Sequence, residues 1–131
     1  MILLDTHTWV WWILRRTDIL PEAIDQRIAT SADEVAVASI SCLEVALLVK
    51  KERLRILGDL TAWFDMALEG AGIRLLPLTP AIAARSAALP DLHRDPIDRV
   101  LIATAMEHDA VLLTKDTTIR AYPGVQAIWE S

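Results

Sequence analysis

Short apolar runs alternate with longer amphipathic segments along the whole chain, and this alternation constrains the fold more than any other feature. Strand-like runs occupy residues 2–4, 35–38, 73–78, 110–114 and 125–129. Strands separated by helices are joined by crossover connections and therefore run parallel, with the helices covering the sheet. The pattern predicts an α/β fold, a three-layer α/β/α sandwich with a central, mostly parallel sheet.

Capping residues and apolar periodicity predict the helices between these strands. They are expected at about 7–15, 21–31, 42–51, 58–70, 80–88 and 96–108. Thr6 is the expected N-cap of the first helix, Ser39 and Ser41 are suited to cap the third, and Asp95 followed by Pro96 is expected to open the last.

The composition predicts a single globular domain over residues 1–131. Fifty-three per cent of the residues are hydrophobic, with only 4 Gly and 6 Pro, which excludes a disordered chain. Cys42 is the only cysteine, so an intramolecular disulfide is excluded and a reducing cytoplasm is the expected location. The apolar runs are far shorter than the ~20 residues of a spanning helix, so no membrane association is expected.

The net charge of −5 argues against a simple basic DNA-binding module. It does not exclude a nucleic-acid substrate, because carboxylates gathered around cations would account for much of the negative charge.

Two acids follow strands of the predicted sheet. Asp5 comes directly after residues 2–4, and Asp116 follows residues 110–114. Ligands of such sheets bind just outside the carboxyl ends of the strands. If these two strands are neighbours, both carboxylates lie at the same edge.

Two further acids lie near predicted helix starts. Glu44 ends the segment SCLE and Asp98 ends DPID. Each has a structural interpretation, as the acid of a capping box or as a charge that favours the helix dipole. Their apolar neighbours at helical spacing, Leu48 for Glu44 and Ile102 for Asp98, favour carboxylates that face inward.

Converging carboxylates repel one another unless cations lie among them. Oxygen ligands alone select hard ions, Mg²⁺ or Mn²⁺, over zinc. Such ions beside a phosphodiester activate a water and stabilise the departing oxygen. The implied chemistry is phosphodiester hydrolysis.

The sequence resembles a known family, the PIN-domain ribonucleases, and within it the VapC-type toxins of bacterial toxin–antitoxin pairs. The resemblance spans the chain through LLDTHTWVWW, SISCLEVALL, LPDLHRDPIDRVLIATAMEHDAVLLTKD and YPGVQAIW. It rests on the four acids in order, each in a family-like context.

The resemblance implies an acidic Mg²⁺ or Mn²⁺ site made of Asp5, Glu44, Asp98 and Asp116, all four also catalytic. Asp5 and Asp98 would bind the main ion directly, and Asp116 directly or through water. Glu44 would orient or deprotonate the attacking water, or help to hold a second ion. The family's additional acid, two residues after the fourth, is replaced by Thr118, so the number of ions, one or two, stays open.

Four other residues are candidates for supporting the acids or contacting RNA phosphate: Thr6, Thr114, Lys115 and Arg99. For Arg99 and Lys115, surface charge or an ion pair is the alternative. The resemblance further implies an RNA substrate, a homodimer, and a cognate antitoxin whose C-terminal segment docks in a groove formed partly by the early helices.

Other features have structural interpretations that compete with functional ones. Trp9, Trp11 and Trp12 are expected to pack in the core or an interface rather than to stack on bases. His7 and His93 are expected to be structural. The basic segment KKERLR, residues 50–55, is either a solvated helix end or a patch that guides RNA.

Two rival functions remain. A phosphatase of the haloacid dehalogenase type would need a second Asp where His7 stands. A non-catalytic interaction module would use the Trp-rich first helix and keep the acids as caps.

Overall fold

A computed structural model describes residues 1–130, and within that range the central sheet has five strands. The strands are β1 (Ile2–Leu4), β2 (Val35–Ala38), β3 (Arg74–Leu76), β4 (Val111–Leu113) and β5 (Gln126–Ile128). Their order is β3-β2-β1-β4-β5, and every neighbouring pair is parallel. The predicted parallel sheet is confirmed, with β1 at its centre.

Helices connect the strands. They are α1 (Thr6–Ile13), α2 (Glu22–Ala29), α3 (Ser39–Lys50), α4 (Leu60–Ala67), α5 (Pro80–Ala88), α6 (Pro96–Glu107) and α7 (Thr117–Arg120), with a 3₁₀ turn at Glu69–Ala71. Among residues 1–130, none of these helices has the length and apolar character that a bilayer-crossing segment requires.

The strands send alternate side chains to two separate cores, which gives the three layers. Leu4 and Leu113 pack with Trp9 and Ile24 on one face. Leu3 and Leu112 pack with Leu101 of α6 on the other. Because strand side chains alternate between faces, a sheet buried on both sides needs continuous apolar strands such as Ile2–Leu4.

Two predicted caps are wrong. Asp5, not Thr6, is the N-cap of α1, since its Oδ1 accepts a hydrogen bond from the Thr8 N–H at 2.8 Å and Thr6 is already helical. The helix α3 begins at Ser39 directly after β2. There Ser39 Oγ accepts from the Leu78 N–H, while Ser41 Oγ accepts from the Thr6 hydroxyl.

The structure also corrects several boundaries. The predicted helix at 58–70 is α4 followed by the 3₁₀ turn, opened by Asp59 as N-cap and ended at Gly72 in the left-handed region, φ 68°. The short helix α7 was not predicted, and Asp116 caps it. The helix α5 and the cap of α6 by Asp95 are as predicted.

Candidate active site

The two acids that follow strands lie at the same edge of the sheet, as predicted. Strands β1 and β4 are neighbours, with Leu4 paired to Leu113. The Asp5 N–H donates to the Leu113 carbonyl at 3.2 Å. Asp116 follows β4 after two residues, and both carboxylates face one cleft.

The helices α3 and α6 bring the other two acids to this cleft. Glu44 lies in the first half of α3, and Asp98 lies in the first turn of α6. The two helices pack against each other. The cleft encloses about 390 Å³. Its lining residues are Asp5, His7, Trp11, Glu44, Asp95, Asp98, Lys115, Asp116 and Ile119.

Asp5 combines a structural and an electrostatic role. Its side chain caps α1, and the residue is only 8 % exposed. Burial raises the pKa of Asp5, and hydrogen bonds from Thr114 and Thr8 partly oppose that rise. The carboxylate therefore occupies a site where a nearby cation would offset its desolvation.

The surroundings of Asp98 in the cleft strongly perturb its carboxylate. Burial and the negative charges of Asp95, Glu44 and Asp116 raise the pKa of Asp98 to about 7, while His93 acts in the opposite direction. A bound cation would relieve the repulsion among these carboxylates. The oxygen donors of this cleft fit Mg²⁺ or Mn²⁺.

Asp116 is held by the start of α7. Its Oδ1 accepts hydrogen bonds from the Thr118 N–H at 2.8 Å and the Ile119 N–H at 3.1 Å. Thr118 therefore supplies a backbone donor to Asp116 at the position where the resembling family often has an acid. The geometry fixes one carboxylate oxygen and leaves Oδ2 directed toward His93.

Sequence reasoning treated His93 as a lone structural histidine and missed its place in the site. Its Nε2 lies 2.9 Å from Asp98 Oδ2 and 3.4 Å from Asp116 Oδ2. These three groups also satisfy the spacing of a possible metal site. The one available signal was its position two residues before the N-cap Asp95.

Arg99, a candidate for contact with RNA phosphate or for an ion pair, lies against the C-terminal end of α5 and the loop that follows it. The Arg99 guanidinium donates to the carbonyls of Ser86, Leu89 and Pro90 at 2.8–3.0 Å, and its side chain is 12 % exposed. Successive helix positions differ by 100°, so Arg99 points away from the cleft that Asp98 lines.

The environments of the other three candidates, Lys115, Thr6 and Thr114, differ. Lys115 is exposed and lines the cleft. Thr6 is buried and donates to Ser41 Oγ at 2.8 Å, which joins α1 to α3. Thr114 is fully buried and its Oγ1 accepts from the Asp116 N–H at 3.1 Å. Both hydroxyls brace the elements that carry the acids, and their burial keeps them from a phosphate.

The fold and this cleft define the class of protein. The family model described as PIN domain matches residues 2–125. The chain belongs to the PIN-domain family, so the resemblance noted in the sequence is confirmed.

Individual relatives extend the comparison. The chain is 37% identical over 131 residues to Ribonuclease VapC22 of Mycobacterium tuberculosis (strain ATCC 25618 / H37Rv), covering 98% of both proteins. Its fold matches a chain of a toxin–antitoxin complex from Klebsiella pneumoniae with a TM-score of 0.65 and 25% identity over 95% of each chain. It also matches VapBC2 from Rickettsia felis, solved with a DNA fragment from its promoter, with a TM-score of 0.73 and 16% identity over 98% of each chain. The last likeness concerns the fold alone.

Proposed function

We propose that this chain is a metal-dependent endoribonuclease, built as one nuclease domain, that acts as the toxin of a VapC-type toxin–antitoxin pair. The observation that carries the proposal is the convergence of Asp5, Glu44, Asp98 and Asp116, from four separate elements, on one cleft. The similarity to a curated ribonuclease over nearly the whole chain supports the activity.

The residues of the cleft have different proposed roles in hydrolysis. Asp5 and Asp98 would hold the cation directly, with Asp116 direct or through water. When bound, the cation activates a water and stabilises the departing oxygen of the phosphodiester. Glu44 faces the cleft from α3 and orients or deprotonates the attacking water. Lys115 on the cleft wall meets the phosphate charge.

The carboxylate set favours Mg²⁺ or Mn²⁺, because its donors are hard oxygens. One ion would be held by Asp5, Asp98 and Asp116, which all line the cleft. A second ion would depend on Glu44, because Thr118 stands where the family often has another acid.

An antitoxin partner fits a groove that adjoins the cleft. The groove lies between α1 and α3 and has an apolar wall formed by Val10, Trp11, Leu14, Leu48 and Leu54. It shares His7, Trp11 and Glu44 with the acidic cleft. A bound antitoxin segment would therefore reach the catalytic acids. The toxin itself is proposed to be a homodimer.

The alternative of a non-catalytic module that uses the Trp-rich helix is not favoured. Trp9 is fully buried, and its Nε1–H donates to the Ala67 carbonyl at 2.9 Å. Trp11 packs against Trp129, and the Arg15 guanidinium covers Trp12. The three indoles therefore do not form one exposed face, and the expectation that Trp9 packs in the core is confirmed.

Cleavage of pooled total RNA tests the proposal. Antitoxin-free protein with Mn²⁺ or Mg²⁺ should release discrete fragments, and EDTA or Asp98→Asn should abolish them. Glu107→Gln is the matched control, since Glu107 lies at the far end of the same helix in a surface pair with Arg85. Cleavage that persists in EDTA and in Asp98→Asn would refute the metal-dependent mechanism.

A further inference from the structure

The loop between α5 and α6 places His93 beside the acids. His93 contacts Asp98 and Asp116 but lies outside the set of residues that line the cleft. Its side chain is 19 % exposed. The imidazole is therefore largely shielded from solvent where it contacts Asp98.

The loop is held in this position by Arg99 and Tyr122. The Arg99 guanidinium donates to the Leu89, Pro90 and His93 carbonyls at 2.8, 3.0 and 3.1 Å. Tyr122 Oη accepts from the His93 N–H at 2.8 Å and donates to the Pro90 carbonyl at 2.9 Å. Hydrogen bonds from a charged donor to several carbonyls fix a loop strongly.

The hydrogen bonds of the imidazole identify its tautomer. His93 Nδ1 accepts from the Asp95 N–H at 3.2 Å. A neutral imidazole that accepts at one nitrogen carries its proton on the other. The proton therefore lies on Nε2, which donates to Asp98 Oδ2 at 2.9 Å.

The same tautomer argues against His93 as a metal ligand. A histidine that binds a metal through one nitrogen donates the N–H of the other to a carboxylate, carbonyl or water. Here the nitrogen opposite the acids faces a backbone donor, the Asp95 N–H. A metal on Nε2 would place two N–H groups against each other at Nδ1.

We propose that His93 is a positioning residue whose Nε2–H holds Asp98, and with it Asp116, at the spacing that a divalent cation requires. This inference rests on the proposed metal-dependent function. Asp98 and Asp116 retain lone pairs for the cation, because each carboxylate oxygen accepts more than one bond.

Two substitutions of His93 test the hydrogen bonds of its two ring nitrogens separately. In His93→Asn, the amide oxygen takes the place of Nδ1 and accepts from the Asp95 N–H, but the side chain does not reach Asp98. In His93→Gln, the amide nitrogen reaches the Nε2 position and donates to Asp98. His108→Gln is the control, since His108 caps the far end of α6.

The test is Mn²⁺ binding by calorimetry to the full chain, with thermal melting as the check of folding. Loss of a partner that orients a metal ligand weakens binding about 10- to 100-fold. We expect that loss for His93→Asn, and near wild-type affinity for His93→Gln and His108→Gln. Equal affinity of His93→Asn and wild type would overturn the inference and leave the proposed function standing.

Pulsed electron paramagnetic resonance of the Mn²⁺-loaded protein gives a second readout. We expect any ¹⁴N coupling from imidazole to be the same in wild type and in His93→Gln. A coupling that His93→Gln removes would make His93 a ligand and overturn the positioning role. A folded wild type that binds no Mn²⁺ would refute the proposed function and this inference with it.

Discussion

The charge of Asp98 depends strongly on its surroundings. Its pKa is raised to about 7 in the folded chain, against a value of 3.8 without those surroundings. The folded state therefore holds a proton that the unfolded state has released at the same pH. The contribution of Asp98 to the free energy of unfolding is therefore present at low pH and is lost as the pH rises toward 7.

The metal-free protein should therefore become less stable from about pH 6 to about pH 7. The free energy of unfolding should fall by up to about 1.4 kcal/mol per pH unit and level off above about pH 7. Asp98→Asn should reduce this slope. A smaller decrease of stability with pH should remain in the variant, because burial also raises the pKa of Asp5. Urea unfolding across this range measures it; a wild-type stability that rises with pH would contradict the account.

Asp5 should prove essential for activity and dispensable for folding. Asp5→Asn keeps an oxygen to accept the Thr8 N–H and removes a buried charge. We expect an unchanged or higher melting temperature. RNA cleavage should fall on the order of 100-fold or more, because a catalytic cation contributes several kcal/mol and about 1.4 kcal/mol is a factor of ten. A folded Asp5→Asn variant that cleaves RNA at the wild-type rate would contradict a catalytic role for Asp5.

Single residues also show where sequence reasoning ends. Arg99 follows Asp98 in the chain, and this adjacency suggested a shared role, yet the helix turns their side chains apart. His93 had no partner at a metal-ligand spacing in the sequence. Its contact with Asp98 depends on a loop conformation that Arg99 and Tyr122 fix through backbone carbonyls and the His93 N–H.

The secondary-structure elements could be predicted to a larger extent. The apolar strands predicted at 2–4 and 110–114 and the parallel topology place Asp5 and Asp116 at one edge. The convergence of Glu44 and Asp98 could be proposed from their apolar neighbours and the family resemblance. Their meeting in one cleft depends on how α3 packs against α6, which no local pattern encodes.

The hydrogen bonds of Arg99, which join α6 to the end of α5 and the loop that follows it, should contribute measurably to the free energy of unfolding. Arg99→Gln removes hydrogen bonds from a largely buried guanidinium and leaves several carbonyls without a donor. We expect a loss of about 2–3 kcal/mol in the free energy of unfolding. Arg85→Gln, which removes a surface pair with Glu107, should cost less than about 1 kcal/mol. Equal effects of the two variants in urea denaturation would argue against a stabilising role of the Arg99 hydrogen bonds.

At the scale of the whole molecule, the charge is unevenly distributed. The chain carries a net charge of −5, and five of its acids line the cleft. Of the basic segment at residues 50–55, Arg53 lines the groove beside the cleft, while Lys51 is exposed elsewhere. A locally basic approach to an acidic site is compatible with an RNA substrate.

Arg53→Gln should therefore weaken RNA binding without impairing the chemistry. We expect a higher KM, an unchanged kcat, and a salt dependence of binding reduced by about 0.7 in its logarithmic slope, the value for one phosphate contact on a single strand. Lys51→Gln is the control. If both variants show the wild-type slope, the segment is a solvated helix end.

The central claim is that carboxylates from four elements form one cation site. Anomalous diffraction from crystals grown with Mn²⁺ tests it most directly. We expect a peak in the cleft, at about 2 Å from carboxylate oxygens of Asp5 and Asp98, with Asp116 bound directly or through water. A cleft without a peak at saturating Mn²⁺, or a peak held by other residues, would contradict it.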